Sequence, residues 1–283
     1  MKLGVLIPYE KKCVDMLARI GFNGVELSAQ QGSEADAAYL KKDARRVLDA
    51  FESREITVTA LGCYVNHLDP DETQRQQTAD YMKKVFEAAE ALGVSVVCTF
   101  AGRVPDKSVE DNIPIFKKVF SKYVKMAEDK GIKIAIENCP MMHGFPFRGI
   151  NVAFMPHVWE MMFDAVPSDN LGLEMDPSHL AWLQIDYVKA VRAFGKKIFH
   201  VHAKDTEIDY EKLHTNGIYS SEWARFRIPG MGDINWDKFF SALVETGFDG
   251  GVAIEHEDPV LAGKRTEEGL HRGYLYLSRF FIM

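Results

Sequence analysis

The sequence predicts a single (β/α)8 barrel spanning residues 1–283, and three observations carry that reading. Eight short apolar runs recur along the chain. Longer amphipathic stretches separate them. Ionisable residues gather where the apolar runs stop and are sparse where they start.

The predicted strands are 3–7, 24–28, 57–62, 95–100, 133–139, 171–176, 198–205 and 251–257. They are mostly continuous apolar runs, as expected of parallel strands covered on both faces. Between them lie segments with helical spacing. Tyr39, Leu40, Val47, Leu48 and Phe51 mark one face of 39–51. Tyr81, Val85, Phe86, Ala89 and Leu92 do the same in 81–92. Segments 115–128, 154–165, 186–194, 236–246 and 266–281 read alike. Gly21, Gly93, Gly131, Gly195 and Gly247 each close a helical segment before a strand, the place of a glycine C-cap. GFNGVEL at 21–27 and GFDGGVAIE at 247–255 echo one another.

Eight βα units in order predict closure into a barrel. An open doubly wound sheet is the competing arrangement. It would carry a glycine-rich phosphate loop after its first strand, but that strand runs into IPYEKK. Neither GxGxxG nor GxxxxGK[ST] occurs. No linker or composition break divides the chain.

Composition narrows the function. A barrel needs about 250 residues, and the chain has 283. The net charge of -7 argues against a duplex nucleic-acid partner, whose binding needs phosphate neutralisation. No stretch approaches the roughly 18 apolar residues of a membrane span, and the N-terminus lacks a signal-peptide core. Cys13, Cys63, Cys98 and Cys139 form no CxxC pair. Cys98 and Cys139 lie in apolar runs and read as buried free thiols. The expected setting is the cytoplasm.

Barrel enzymes place their chemistry at the C-terminal ends of the strands. The second strand carries Glu26, and the third leads into Asn66 and His67. The fifth ends at Glu137 and Asn138, the sixth at Asp176 followed by His179. The seventh carries His200, His202, Lys204 and Asp205; the eighth, Glu255, His256 and Glu257. Asp69 and Asp258, each before a proline, read as caps. Glu137, Asp176, His202 and Glu255 converge from four successive strands. Three carboxylates so close would raise one another's pKa values unless a cation joined them. The set is hard and oxygen-rich. It suits one divalent ion, with Mn2+ preferred, Mg2+ or Co2+ next, and Zn2+ less favoured without a thiolate.

Together the stretches GFNGVEL, KIAIENC, LGLEMDPSHLAW, IFHVHAKD, RIPGMGDINWDKFFSALVETGFDG and VAIEHED resemble the xylose isomerase-like TIM-barrel superfamily. That group holds sugar isomerases and epimerases and also endonuclease IV. The matches span nearly the whole chain in family order. The resemblance to its ketose 3-epimerases implies Glu137, Asp176, His202 and Glu255 as metal ligands. Glu137 and Glu255 would double as the acid/base pair, and His179 would contact a substrate oxygen. The epimerases' substrate-binding arginine corresponds to Arg225 or Arg227. Two loops depart from the pattern: 138–151, NCPMMHGFPFRGIN, and the insertion 206–226.

The expected activity is metal-dependent isomerisation or epimerisation of a small carbohydrate, phosphorylated or not, through an enediolate. His67, His143, His179, Lys204, Asp205 and Arg227 are the expected substrate contacts. Phe145 and Phe147 would wall the pocket or pack under their loop. Trp223, Arg225 and Arg227 would form a lid or a contact between like subunits. Three other readings remain: a dehydratase or lyase acting on a keto-sugar or keto-polyol, an abasic-site endonuclease with a zinc cluster, and a sugar-binding barrel without catalysis.

Overall fold

The strands close into a barrel in the computed structural model, which describes residues 1–143, 148–218, 220 and 222–281; the side chains of Met142 and His143 lie outside that description. The barrel strands are β1 (Lys2–Ile7), β2 (Gly24–Ser28), β3 (Thr57–Gly62), β4 (Val96–Thr99), β5 (Lys133–Glu137), β6 (Leu171–Met175), β7 (Ile198–Ala203) and β8 (Gly251–Ile254). Each pairs in parallel with its sequence neighbour, and β8 closes on β1 through Leu3 opposite Val252. All eight expected strands are present. The last is shorter than 251–257, because the chain leaves the sheet after Ile254 and frees Glu255 at the mouth.

The helices form the outer layer. They are α1 (Lys11–Ile20), α2 (Ala37–Lys42), α3 (Ala44–Glu52), α4 (Glu72–Leu92), α5 (Val109–Glu128), α6 (Pro156–Ala165), α7 (Pro177–Trp182), α8 (Tyr187–Phe194), α9 (Tyr210–Asn216), α10 (Trp236–Glu245) and α11 (Thr266–Leu277). The core lies between the layers, with Val47, Phe51, Val85, Phe86, Phe116, Phe120, Trp159 and Phe239 fully buried. The segment 39–51 is two helices, because the chain breaks at Asp43 (φ −103°). α4 begins nine residues earlier than the apolar spacing implies. The Asp71 carboxylate accepts from the backbone N–H of Thr73 and Gln74 and starts a polar first half.

Gly21, Gly93, Gly131 and Gly247 adopt positive φ, as caps do. Gly195 does not: its φ is −52° and it opens a 3-10 turn, Gly195–Lys197. There glycine serves close approach, since a Cβ would meet Thr246 at 2.3 Å.

The insertion folds back as a β-ribbon, Asp205–Ile208 antiparallel to Ala224–Arg227, with α9 between the strands. Trp223 is 2% exposed and stacks on Trp182 of α7 at 5.5 Å between ring centroids. It fastens the ribbon to the barrel from within the chain. Among the described residues, no helix is long and apolar enough to cross a membrane.

His67 is a core residue and not the expected substrate contact. It packs edge-on against Phe120 and Tyr123 of α5. Nε2 lies 2.8 Å from Thr99 Oγ1, and Nδ1 lies 3.2 Å from the Tyr123 hydroxyl. Thr99 spends its own proton on the Cys63 carbonyl, so Nε2–H donates to Thr99 and Nδ1 accepts from Tyr123. The ring is therefore held neutral, and burial pushes its pKa down to about 3. An unfolded histidine titrates near about 6.5. The unfolded chain binds the extra proton between those values, so stability falls as pH drops from 6.5 toward 3. We expect this site to remove about 2 kcal/mol between pH 7 and 5. Urea unfolding of His67→Gln should show a shallower loss over that interval; an unchanged slope would contradict the assignment.

Candidate metal centre and active-site pocket

The two-residue alternation of a strand places the site. Glu174 and Asp176 share one face at the end of β6, and His200, His202 and Lys204 share one face of β7 and its exit. Both faces point into the barrel. Glu137 is the last residue of β5, and Glu255 follows β8. Ligand atoms of Glu137, Asp176, His202 and Glu255 lie within 4.8 Å of one another. His202 Nδ1 is 3.0 Å from Glu137 Oε1 and 3.3 Å from Glu255 Oε2.

The donor set fits a divalent cation. Asp176 is fully buried, and its Oδ1 caps α7 by accepting from the Ser178 N–H at 2.8 Å. Its Oδ2 makes no hydrogen bond. A buried carboxylate oxygen left in that state is costly unless a cation engages it. Lys204 Nζ and His179 Nε2 each stand 3.3 Å away, at ion-pair distance but without hydrogen-bond geometry, so the oxygen keeps a lone pair for a metal.

Charges around the set are arranged to keep both glutamates ionised. Burial pushes the Glu255 carboxyl up, but the Lys204 and His202 charges outweigh it and hold it well below the carboxylate range. Burial and the Glu255 charge raise Glu137, yet the neighbouring His179 and His202 imidazoles bring it down. Lys204 Nζ lies 2.5 Å from Glu255 Oε2 and 2.9 Å from Glu257 Oε2. Burial opposes its charge, and the surrounding carboxylates restore it.

Beneath this centre lies a second buried layer that the strand-end reading did not assemble. The other face of the imidazole, His202 Nε2, is 2.9 Å from Glu26 Oε2 and 3.1 Å from Glu174 Oε1. His200 Nδ1 is 2.9 Å from Glu174 Oε1, and its Nε2 is 3.1 Å from Thr59 Oγ1. The Tyr64 hydroxyl sits 2.5 Å from Glu26 Oε1 and 2.8 Å from Glu174 Oε2. One phenolic proton serves only one of them. Burial and the Glu26 charge raise Glu174 to about 7, whereas the His202 and His200 imidazoles hold Glu26 low despite its burial. Gly62 makes this layer sterically feasible: a Cβ there would meet Glu26 at 2.4 Å and Tyr64 at 2.8 Å.

Above the centre opens a cavity of about 450 Å³, lined among others by Tyr64, Phe100, Glu137, Cys139, His179, Lys204, Phe226 and Glu255. That volume is in the range of small-molecule sites. A wider cleft of about 740 Å³ lies at Tyr9, Glu34, Tyr39 and Arg46. No clustered ligand-type set lies there among the described residues, whereas the smaller cavity opens onto one.

The expected contacts divide. His179 and Lys204 line the cavity. Asp205 does not: its carboxylate accepts from the N–H groups of Thr206, Gly230 and Ile234 and from Trp236 Nε1, holding the RIPGMGDINW turn. Arg227 does not either, since it pairs with Asp258 at 3.0 Å and with Glu207. Arg225 pairs with the same Glu207. Strand alternation turns the residue between them inward. The Phe226 ring lies 4.5 Å from Lys204 Nζ and 5.3 Å from the His179 ring. Asp258 is a loop clamp, accepting from the Val260 and Leu261 N–H groups. His143 lies in the short strand Met142–His143, with its side chain outside the described residues, as are Phe145 and Phe147. Cys139 is buried as expected but borders the cavity.

The lower layer should act through His202. A metal-bound imidazole normally donates its other N–H to a carboxylate that fixes tautomer and ring orientation. Glu26 occupies that position. We therefore expect Glu26→Gln to weaken divalent-ion affinity about 10- to 100-fold, read by competition with a chelator. Unchanged affinity in a folded variant would contradict this role.

Comparison with known proteins agrees with the geometry. The sequence profile of the xylose isomerase-like TIM barrel family matches residues 14–276. The inosose isomerase of Bacillus subtilis (strain 168) is 30% identical over 75% of this chain and 71% of its own. An uncharacterized protein of the same organism, YfiH, is 29% identical over 92% of this chain and 93% of its own. The crystal structure of IolI protein with a bound zinc atom superimposes at a TM-score of 0.77 and 23% identity, covering 100% of both chains. The chain belongs to the xylose isomerase-like TIM barrel family.

Proposed function

We propose that the protein is a divalent-metal-dependent isomerase or epimerase of a small carbohydrate or polyol ketone. The observation that carries this reading is the pair Glu137 and Glu255. Both are held ionised, both approach His202 Nδ1, and both face the same cavity. The similarity to an inosose isomerase supports a cyclic or open polyol ketone as the substrate class.

Glu137, Asp176, His202 and Glu255 would hold the ion. When bound, it supplies Lewis-acid polarisation of the substrate carbonyl. The oxygen-rich set favours Mn2+ or Mg2+, with Co2+ or Zn2+ also accommodated. The chain's own residues do the proton chemistry. One glutamate removes the proton on the carbon beside the carbonyl, and the other returns a proton from the opposite side. His179 and Lys204 present N–H donors to substrate oxygens at the rim. Tyr64, Phe100 and Phe226 wall the cavity and limit water at the reacting carbon.

The abasic-site endonuclease reading is weakened, because His67, one of the residues it would draw on for a zinc cluster, is buried against Thr99 and Tyr123. Elimination of water begins with the same proton removal, so mass decides between it and isomerisation.

In deuterium oxide, wild-type protein given keto-sugars and inososes should place deuterium beside the carbonyl and conserve product mass otherwise. Glu137→Gln and Glu255→Gln should each lower exchange about 10²- to 10⁴-fold. Loss of water from the product would shift the assignment to a dehydratase. Full exchange in either variant with metal bound would overturn the glutamate-pair mechanism.

A further inference from the structure

Cys139 lies two residues beyond Glu137, where β5 has ended and the chain turns over the cavity. Its sulfur, a Glu137 carboxylate oxygen and a His179 ring nitrogen lie within 4.8 Å of one another. This triangle shares Glu137 with the four-residue centre and uses none of its other ligands.

Two observations separate it from a chance neighbourhood of thiol and imidazole. His179 is 4% exposed, yet its Nε2 has no hydrogen-bond partner. Buried side-chain nitrogens are nearly always partnered. That nitrogen has two carboxylate neighbours without hydrogen-bond geometry, Asp176 Oδ2 at 3.3 Å and Glu137 Oε1 at 3.7 Å. The donor chemistry also differs from the centre beside it. One thiolate, one imidazole and one carboxylate make a softer set than three carboxylates and an imidazole, and soft sets select zinc-like ions over magnesium or manganese.

We propose that Glu137, Cys139 and His179 form a second metal position, selective for thiophilic divalent ions such as Zn2+, with Glu137 shared between the two. Binding converts the Cys139 thiol to thiolate, with its proton released to solvent, and uses an unprotonated nitrogen of His179. Occupancy takes Glu137 and His179 away from substrate, so excess zinc inhibits an enzyme whose first ion is hard. The inference rests on the reading that Glu137 also serves the four-residue centre, and the two are separable by experiment.

Cobalt(II) is the probe, because a thiolate ligand gives it a near-ultraviolet charge-transfer band that oxygen and nitrogen ligands do not. Metal-free wild-type protein should bind about two cobalt ions per chain, one of them bringing the band. Asp176→Asn should lose one ion and keep the band. Cys139→Ser and His179→Ala should each lose the band and one ion. Saturation of wild type without a thiolate band overturns the proposal whatever the variants do, as does a band that survives Cys139→Ser. Loss of nothing in Asp176→Asn would instead strike the four-residue centre.

Discussion

His202 is the piece on which the rest of the site depends. Both ring nitrogens face carboxylates: Nδ1 meets Glu137 at 3.0 Å and Nε2 meets Glu26 at 2.9 Å. The imidazole thus joins an upper cluster open to the cavity to a lower one sealed in the barrel. Five acidic side chains crowd this axis, counting Glu26, Glu137, Glu174, Asp176 and Glu255. Water does not screen them, so each charge needs a partner. His179, His202 and Lys204 supply that compensation, His200 adds a hydrogen bond to Glu174, and burial with the Glu26 charge raises Glu174 to about 7. A divalent ion held by the upper cluster would complete the balance and displace a proton from the imidazole.

The barrel makes such an arrangement achievable. Inward faces of parallel strands are normally filled by branched apolar side chains. Here Gly62, Ala60 and Ala135 take inward places, and polar side chains fill the space they leave. The apolar contacts that hold the fold lie outside, between strands and helices, where Phe51, Phe86, Phe116, Trp159 and Phe239 are buried. Stability and chemistry therefore occupy different layers. The ribbon formed by the insertion brings Phe226 over the cavity, while its arginines are spent on Glu207 and Asp258.

The barrel was legible because βα alternation repeats eight times and each strand is a dense apolar run. The convergence of Glu137, Asp176, His202 and Glu255 was legible for a related reason: they lie at strand ends, and the end of an apolar run marks the mouth. The lower layer was not, because Tyr64 is a single aromatic among loop residues and Glu174 reads as an interruption in LGLEMD. The signal available for it was alternation, since Glu174 shares a face with Asp176 and His200 with His202. His67 and Asp205 misled for the opposite reason. Both lie near strand ends, but a sequence does not say which way a side chain turns after the strand stops. Arg227 failed on parity: one residue's difference exchanges it with Phe226.

The central claim is a mononuclear divalent centre on Glu137, Asp176, His202 and Glu255. Elemental analysis of protein reconstituted with manganese, compared with Asp176→Asn, tests it most directly. The account predicts about one ion per chain in wild type and a large loss in the variant, with the fold intact by circular dichroism. Absence of bound metal after reconstitution, or equal occupancy in Asp176→Asn, would contradict it.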